Sequence, residues 1–583
     1  MKIVLPKNEI EEYHSHLFSK GSRVTGSQVL IDALLIEGTR TVFGYPGGAI
    51  LPIYDALYDY TNDLEHILVR HEQGGIHAAQ GYARSSGEVG VTFATSGPGA
   101  TNLVTGLADA QIDSTPIVCI TGQVFSHLLG TDAFQETDVL NVTMPVTKWN
   151  YQITNASEVP AVIAKAFFIA RSGRPGPVLI DITKDAQQQE FEYQGYKKCE
   201  YMRSYRPKPI VRNQYVEEAA KLINSSKKPF VIFGQGVILG NAEKEFIEFI
   251  EKGNLPTAWT IMGESGIPTD HPLAVGMVGM HGNYGPNVLT NQCDVLIAVG
   301  MRFDDRVTGR LDKYAKQAKI IHLDIDPAEV DKNVKTTVPL WGDCKEILPL
   351  LTNLLDKNDR SEWIKEFAKY AEEEEKLCIK PEKNPSGEVL SMAEVVEVLN
   401  ELTDGDAVVV TDVGQHQMVT CRYAKFGKSR SNITSGGLGT MGFCLPAAIG
   451  AKYGATNRTV VAIVGDGGFQ MTLQELGTIM QNNIDVKILI LNNQFLGMVR
   501  QWQDLFSEKR YSCVNIASPD FVKLAGAYGI NANSVKDRAS LKQAMKTMLE
   551  SKGAYLLEVM VGKENNVFPM VAQGSSVAEI RLK

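Results

Sequence analysis

The sequence predicts an α/β protein built from three doubly wound parallel-sheet domains, the first and third being copies of one unit. Three observations carry this. The β-branched run Thr459–Val464 ends at Gly465-Asp466-Gly467, helical spacing follows over Leu473–Gln481, and a second apolar run, Lys487–Leu491, ends at Asn492-Asn493. That is the pattern of a βαβ unit, whose right-handed crossover leaves both strand ends on one rim. The first third of the chain repeats the pattern at a constant offset of 369 residues: Ala78-Ala79-Gln80-Gly81 falls on Ala447-Ala448-Ile449-Gly450, the strand from Val91 on the one ending at Val464, Ser96-Gly97-Pro98-Gly99 on Gly465 to Gly468, and Ile117–Thr121 on Val486–Ile490. Such a gapless run of elements reads as a duplication. Between the copies, Lys228–Gly236, Asp294–Gly300 and Lys319–Asp326 are further apolar strands, the first running into Gly-Gln-Gly and the others ending in charged residues. This middle region is read as Rossmann-like, although Gly-Gln-Gly alone is a weak signature and acidic strand ends also serve as plain turns.

Composition sets the boundaries. With 583 residues, 44% hydrophobic and 21% charged, the chain exceeds one core and has the make-up of a globular protein. The expected layout is a flexible N-terminal segment over 1–20, a first domain over 21–190, a central domain over 205–355 and a last domain over 385–583. Mixed charge and proline over Lys197–Pro209, and the stretch Asp356–Glu388, mark the linkers; the acidic run Glu372–Glu375 reads as a solvated helix face. A net charge of -9 without a long basic run argues against nucleic acid. Eight scattered cysteines without a C-x-x-C pair suggest neither zinc nor a disulfide framework and fit a reducing cytoplasm. No apolar run reaches membrane-spanning length, and the N-terminus has neither signal-peptide nor transit-peptide character.

The chemistry gathers where the copies differ. Asp466 and Asn493 arrive side by side at two strand ends, two hard oxygen ligands beside a glycine loop, which suits Mg²⁺ holding a diphosphate. Taken singly, each is equally an ordinary turn. In the first copy Gly97 and Val124 occupy these positions, so only the later copy can hold the metal. Glu72, directly after the strand Ile67–Arg70, corresponds to Met441. From the residues alone, Glu72 is also read as a first-turn acid satisfying a helix dipole, and Met441 as core packing.

Gly465-Asp466-Gly467 through Asn492-Asn493, with His71-Glu72-Gln73-Gly74 and the duplication, resembles the signature of thiamine diphosphate enzymes acting on 2-oxo acids. Phe43-Gly44-Tyr45-Pro46-Gly47-Gly48, Thr131 to Glu136 (TDAFQE), Arg302 to Gly309 (RFDDRVTG) and Gly497 to Gln503 (GMVRQWQ) extend the likeness over nearly the whole chain, to the acetohydroxyacid synthase (biosynthetic acetolactate synthase) catalytic subunits. RFDDRVTG separates these from the flavin-free catabolic enzymes. The resemblance implies that the first and third domains are thiamine diphosphate-binding units, the pyrimidine and the diphosphate with Mg²⁺ respectively, and that the central one binds FAD.

The same resemblance implies the site. Glu72 would meet the pyrimidine N1′ of a cofactor whose diphosphate sits on the neighbouring chain, Met441 would bend the cofactor, and the Gly439 carbonyl would accept from N4′. Gln415, His416, Gly467 and Gly468 would hold the diphosphate; Asp466, Asn493 and the Phe495 carbonyl would hold Mg²⁺. Acceptor selection falls to Phe134, Gln135, Lys184, Met280, Arg306 and Trp502. A structural FAD is implied at Arg174, His281, Arg302, Asp324 and Asp343. The implied reaction decarboxylates pyruvate and transfers the two-carbon unit to pyruvate or 2-ketobutyrate, in a homodimer or homotetramer with a possible regulatory small subunit. An FAD- and thiamine-dependent pyruvate oxidase and a non-catalytic nucleotide-binding scaffold are the alternatives.

Overall fold

The computed structural model describes residues 18–583, so the expectation of a flexible N-terminal segment falls almost wholly outside the described residues. Three six-stranded sheets, each parallel throughout, carry the fold. The first comprises β1 (Thr41–Gly44), β2 (Glu65–Leu68), β3 (Gly90–Ala94), β4 (Ile117–Gln123), β5 (Trp149–Ile153) and β6 (Pro177–Thr183). The middle sheet has β7 (Pro229–Phe233), β8 (Thr257–Trp259), β9 (Ala274–Met277), β10 (Val295–Val299), β11 (Lys319–Asp324) and β12 (Val338–Trp341). The last has β13 (Val408–Thr411), β14 (Asn432–Thr434), β15 (Val460–Gly465), β16 (Lys487–Asn492), β17 (Asn531–Val535) and β18 (Tyr555–Met560).

Strand order bears out the duplication. The first sheet runs β2-β1-β3-β4-β6-β5 and the last β14-β13-β15-β16-β18-β17, the same permutation of six. The middle sheet runs β9-β8-β7-β10-β11-β12. That is the order 3-2-1-4-5-6 of the Rossmann fold. The central strands read as unbroken apolar runs because helices cover both faces of a parallel sheet; Val42, Phe93 and Ile180 are fully buried in the first sheet, and Ile463, Leu489 and Leu557 in the last.

The chain divides into two compact units. One contains the chain up to Arg206 together with Gly437–Thr456 and Thr472–Ile484; the other contains Pro207–Gly436, Asn457–Met471 and Asp485–Lys583. Within the first unit, α1 (Glu72–Ser86) packs on α5 (Cys444–Gly454). A Cβ on Gly81 would stand 1.9 Å from the Ala447 carbonyl oxygen, and one on Gly450 1.7 Å from that of Ala78. The two contacts interchange under the 369-residue offset, so the duplicated helices meet about a local two-fold axis at which only glycine fits.

Two expectations need correcting. Helix α6 (Asp466–Thr472) starts directly at the end of β15, and a 3-10 turn (Leu473–Glu475) separates it from α7 (Leu476–Asn482). The glycines disfavour helix locally, but the strand end places their N–H groups in a helical first turn. In the acidic run, Glu374, the last residue of α3 (Ser361–Glu374), is buried rather than solvated, while Glu372, Glu373 and Glu375 are exposed. Its carboxylate accepts from Arg422 and from the backbone of Tyr284. A buried charge needs such partners.

Candidate active site

In the first unit, β2 delivers the chain to His71, an extended N-cap whose side chain accepts from the Gln73 N–H, and Glu72 opens α1. The Glu72 carboxylate accepts from Asn102 Nδ2 at 2.9 Å, and Gly99 lies beside its other oxygen. The turn before it is held by Glu475, which accepts the Arg70 N–H on both oxygens at 3.2 Å and the Thr478 hydroxyl at 2.6 Å. Burial pushes the Glu475 carboxyl above the usual range, against those hydrogen bonds. Gln135, with φ of 60°, packs on Gly97 at the end of β3. Lys184 follows β6, its ammonium 5.7 Å from the Phe125 ring centre, and Phe134 is 87% exposed.

Gly439 and Met441 belong to the same unit. Their loop is tied to α2 (Val104–Ile112) and its end: Gly437 donates its N–H to Asp113 at 2.7 Å, and Thr440 its hydroxyl to Asp109 at 2.9 Å. Gly439 and Gly442 have φ of 69° and 85°, and half-buried Met441 stands between them. Arg174 donates to Ser114 Oγ at 2.8 Å and to the Ile112 carbonyl.

In the second unit, β13, β15 and β16 are neighbours, and their C-terminal ends deliver the other candidate set. Chain order doubles back between β13 and β15, a switch point at which open α/β sheets bind ligands. Helix α4 (Gln415–Tyr423) starts after β13, α6 starts at Asp466, and Asn493 follows β16. Burial pushes the Asp466 carboxyl up to about 6, although Ser518 and the backbone N–H groups of Asp466, Asn493 and Gly467 donate to it. Asn493 Oδ1 accepts the Phe495 N–H at 3.0 Å. The buried His416 ring is hydrogen-bonded to the Asp412 backbone, held at about 4 by burial, and leaves Nε2 without a partner. A Cβ at Gly468 would meet Asp412 Oδ1 at 2.4 Å, so only glycine lets the first turn of α6 lie this close to the end of β13. These observations fit an anionic group with a hard cation: two helix N-termini, an orphaned ring nitrogen, and a desolvated carboxylate that a cation would relieve. Among the described residues no group of three or more His, Cys, Asp and Glu side chains could hold a metal. One carboxylate, one amide and one carbonyl suit Mg²⁺ better.

The acceptor candidates of this unit partly converge. Met280 donates its N–H to the Arg306 carbonyl at 2.8 Å, and Arg306 Nη1 lies 3.4 Å from the Met280 sulfur. Asp304 caps the short helix Asp305–Thr308, accepting the N–H groups of Arg306 and Val307. Trp502 is half-buried on α8 (Gly497–Phe506), its ring 5.0 Å from that of Phe506. Of the flavin candidates, His281 is buried with Nδ1 unpartnered, Asp324 ends β11, and Arg302 lies 3.9 Å from Asp304. Gly234, Gly236 and Gly300 bring the ends of β7 and β10 together at the switch point of the middle sheet. That crevice and the orphaned His281 nitrogen fit a nucleotide. Asp343 already caps a helix and pairs with Lys208. Sequence reading missed Asn102, Glu475, Asp109, Asp113 and Arg422, all of which act through partners remote in sequence.

This arrangement has counterparts. Family models describe residues 24–142 as the N-terminal TPP binding domain, 216–351 as the central domain and 412–559 as the C-terminal TPP binding domain of thiamine pyrophosphate enzymes. Fold, glycine-lined strand ends and these matches define the class as a thiamine pyrophosphate enzyme. A probable acetolactate synthase large subunit of Methanocaldococcus jannaschii is 46% identical over 95% of each chain. The isozyme 2 large subunit of Escherichia coli is 44% identical over 96% of this chain and 99% of its own, and the large subunit of Corynebacterium glutamicum 45% over 96% and 90%. Within that class, the chain belongs to the acetolactate synthase large-subunit family.

Proposed function

We propose that the chain condenses two molecules of pyruvate to 2-acetolactate, or pyruvate with 2-ketobutyrate to 2-aceto-2-hydroxybutyrate, releasing one CO₂, at the first common step of branched-chain amino acid synthesis. The observation that carries this reading is a carboxylate, Glu72, held by Asn102 at the C-terminal edge of the first sheet, in a chain matched over 96% of its length by an acetolactate synthase large subunit. When bound, thiamine diphosphate supplies the electron sink that makes loss of CO₂ from a 2-oxo acid feasible. Glu72 would hydrogen-bond the pyrimidine N1′, the Gly439 carbonyl would accept from the N4′ amino group, and Met441 would present an apolar face to the cofactor. Gln415, His416, Gly467 and Gly468 receive the diphosphate, and Asp466, Asn493 and the Phe495 carbonyl receive Mg²⁺.

Arg306 binds the acceptor carboxylate, for which a guanidinium fork is suited. Phe134, Gln135, Lys184 and Met280 are the other residues that the family resemblance assigns to acceptor selection. Trp502 touches the extra methylene of 2-ketobutyrate and favours it, an effect of roughly 1–3 kcal/mol. The family resemblance assigns FAD to Arg174, His281, Arg302, Asp324 and Asp343, and the absence of a net oxidation in the balanced reaction supports a structural role for it. Domain borders at 21–190, 205–355 and 385–583 each enclose one sheet. A homodimer or homotetramer with sites at the subunit interface, and a regulatory small subunit, complete the assembly. The eight cysteines are free, which supports a cytoplasmic setting, and among the described residues no helix is long and apolar enough to cross a membrane. Purified protein given pyruvate, Mg²⁺ and thiamine diphosphate should form acetolactate, detectable by NMR; no product under any condition would sink the reading. Given pyruvate and 2-ketobutyrate together, Trp502→Leu should erode the preference for the longer acceptor, and an unaltered product ratio would count against its role.

A further inference from the structure

We propose that Arg422 and Glu374 are positioning residues for acceptor selection: a buried ion pair that fixes the turn following Met280 to the helix bearing Gln415 and His416. The inference rests on the acceptor-site reading above. Arg422 lies in the last turn of α4, and its side chain and that of Glu374 are 0% and 2% exposed. Its Nη2 donates to Glu374 Oε1 at 2.7 Å, and its Nη1 to the carbonyls of His281 and Gly282, each at 3.2 Å. Glu374 in turn accepts the Tyr284 N–H at 2.7 Å and Asn283 Nδ2 at 3.1 Å. One pair of charges thus grips four consecutive residues, 281 to 284. They follow directly on Met280, whose N–H and sulfur both meet Arg306.

The helix completes the connection. Arg422 stands six positions after His416 on α4, a rise of about 9 Å. The end that presents His416 to the diphosphate position is therefore joined through a rigid element to the turn that places Met280 against Arg306. A buried ion pair adds little stability over apolar side chains of the same volume, because desolvation offsets the attraction. What this one supplies is direction: a planar fork and a carboxylate that together hold three backbone groups and one side-chain amide of residues 281 to 284. A lysine at 422 could keep the charge but not the fork.

The test is product partition by the complete enzyme in mixed pyruvate and 2-ketobutyrate. The double variant Arg422→Gln with Glu374→Gln removes both charges and keeps amide donors and acceptors. Its ratio of 2-aceto-2-hydroxybutyrate to acetolactate should fall roughly fivefold or more, with the acceptor KM rising by a larger factor than kcat falls. Arg422→Lys should shift the ratio in the same direction by less. A pair that merely stabilised the fold would lower both products together and leave the ratio unchanged. Only active molecules contribute to the ratio, so partial unfolding does not alter it, and if the double variant yields no active protein, Arg422→Lys decides. Arg306→Lys is the control. Should it leave the ratio unmoved, the acceptor-site reading falls and this inference with it. Should Arg306→Lys shift the ratio while the Arg422 variants do not, the inference alone is overturned.

Discussion

Asn102 engages one oxygen of Glu72, so the other is oriented by a bond the chain makes for itself. A hydrogen bond to a charged group contributes about 1.5–3 kcal/mol. Asn102→Ala should therefore slow exchange of the thiamine C2 proton about tenfold or more, read by deuterium exchange in NMR. Glu72→Gln should keep cofactor affinity and slow exchange further; an unchanged rate in that variant would remove Glu72 from the chemistry. A second carboxylate gives a pH prediction. Burial pushes Asp181 from 3.8 up to about 6, opposed by hydrogen bonds from Thr121, Gln152 and Gln123. Between those values the native state holds a proton that the unfolded chain has released, so this group's contribution to stability is full below the lower value and lost as pH rises through the upper one. The loss amounts to about 3 kcal/mol. Asp181→Asn does not titrate, so its melting temperature relative to the natural chain should climb from about pH 4 to pH 7. A constant difference would refute the assignment.

The helix pair α1 and α5 tests packing at the scale of elements. An alanine at Gly81 or Gly450 would put a methyl within 2 Å of a backbone oxygen of the facing helix, so the helices must separate. Overpacking of this kind costs about 1–3 kcal/mol, occasionally more, and each variant should melt several degrees lower; unchanged melting in both would mean the close approach is dispensable. This pair also measures what sequence can reveal. The 369-residue register was visible because both copies kept Ala-Ala-x-Gly, and the shared strand order follows from it. Gly465-Asp466-Gly467 and Asn493 were legible because strand ends beside glycine are local patterns. The immediate start of α6 was hidden by glycine's low helix propensity, overridden by tertiary context. Glu374 was hidden differently: it stands in a run of like charges, and its partners Arg422, Asn283 and Tyr284, 48, 91 and 90 positions away, make it an interior residue. Asn102 and Glu475 were missed for the same reason, since their partners lie 30 and 405 positions off.

At the scale of the molecule, the candidates divide between two compact units: Glu72 and Met441 in one, Asp466, Asn493 and His416 in the other. The proposed function draws the pyrimidine site and the diphosphate site of each cofactor from different chains, which in a two-fold dimer would give two equivalent sites. Complementation tests this directly. Glu72→Gln and Asp466→Asn should each be nearly inactive alone. In a hybrid dimer of the two, one site collects both substitutions and the other collects neither. Random reassociation makes half the dimers hybrids, so roughly a quarter of the sites should be intact, and mixing the variants after dissociation should restore about that fraction of acetolactate synthesis. If each site drew both residues from one chain, every site in every dimer would carry a lesion, and mixing would restore nothing.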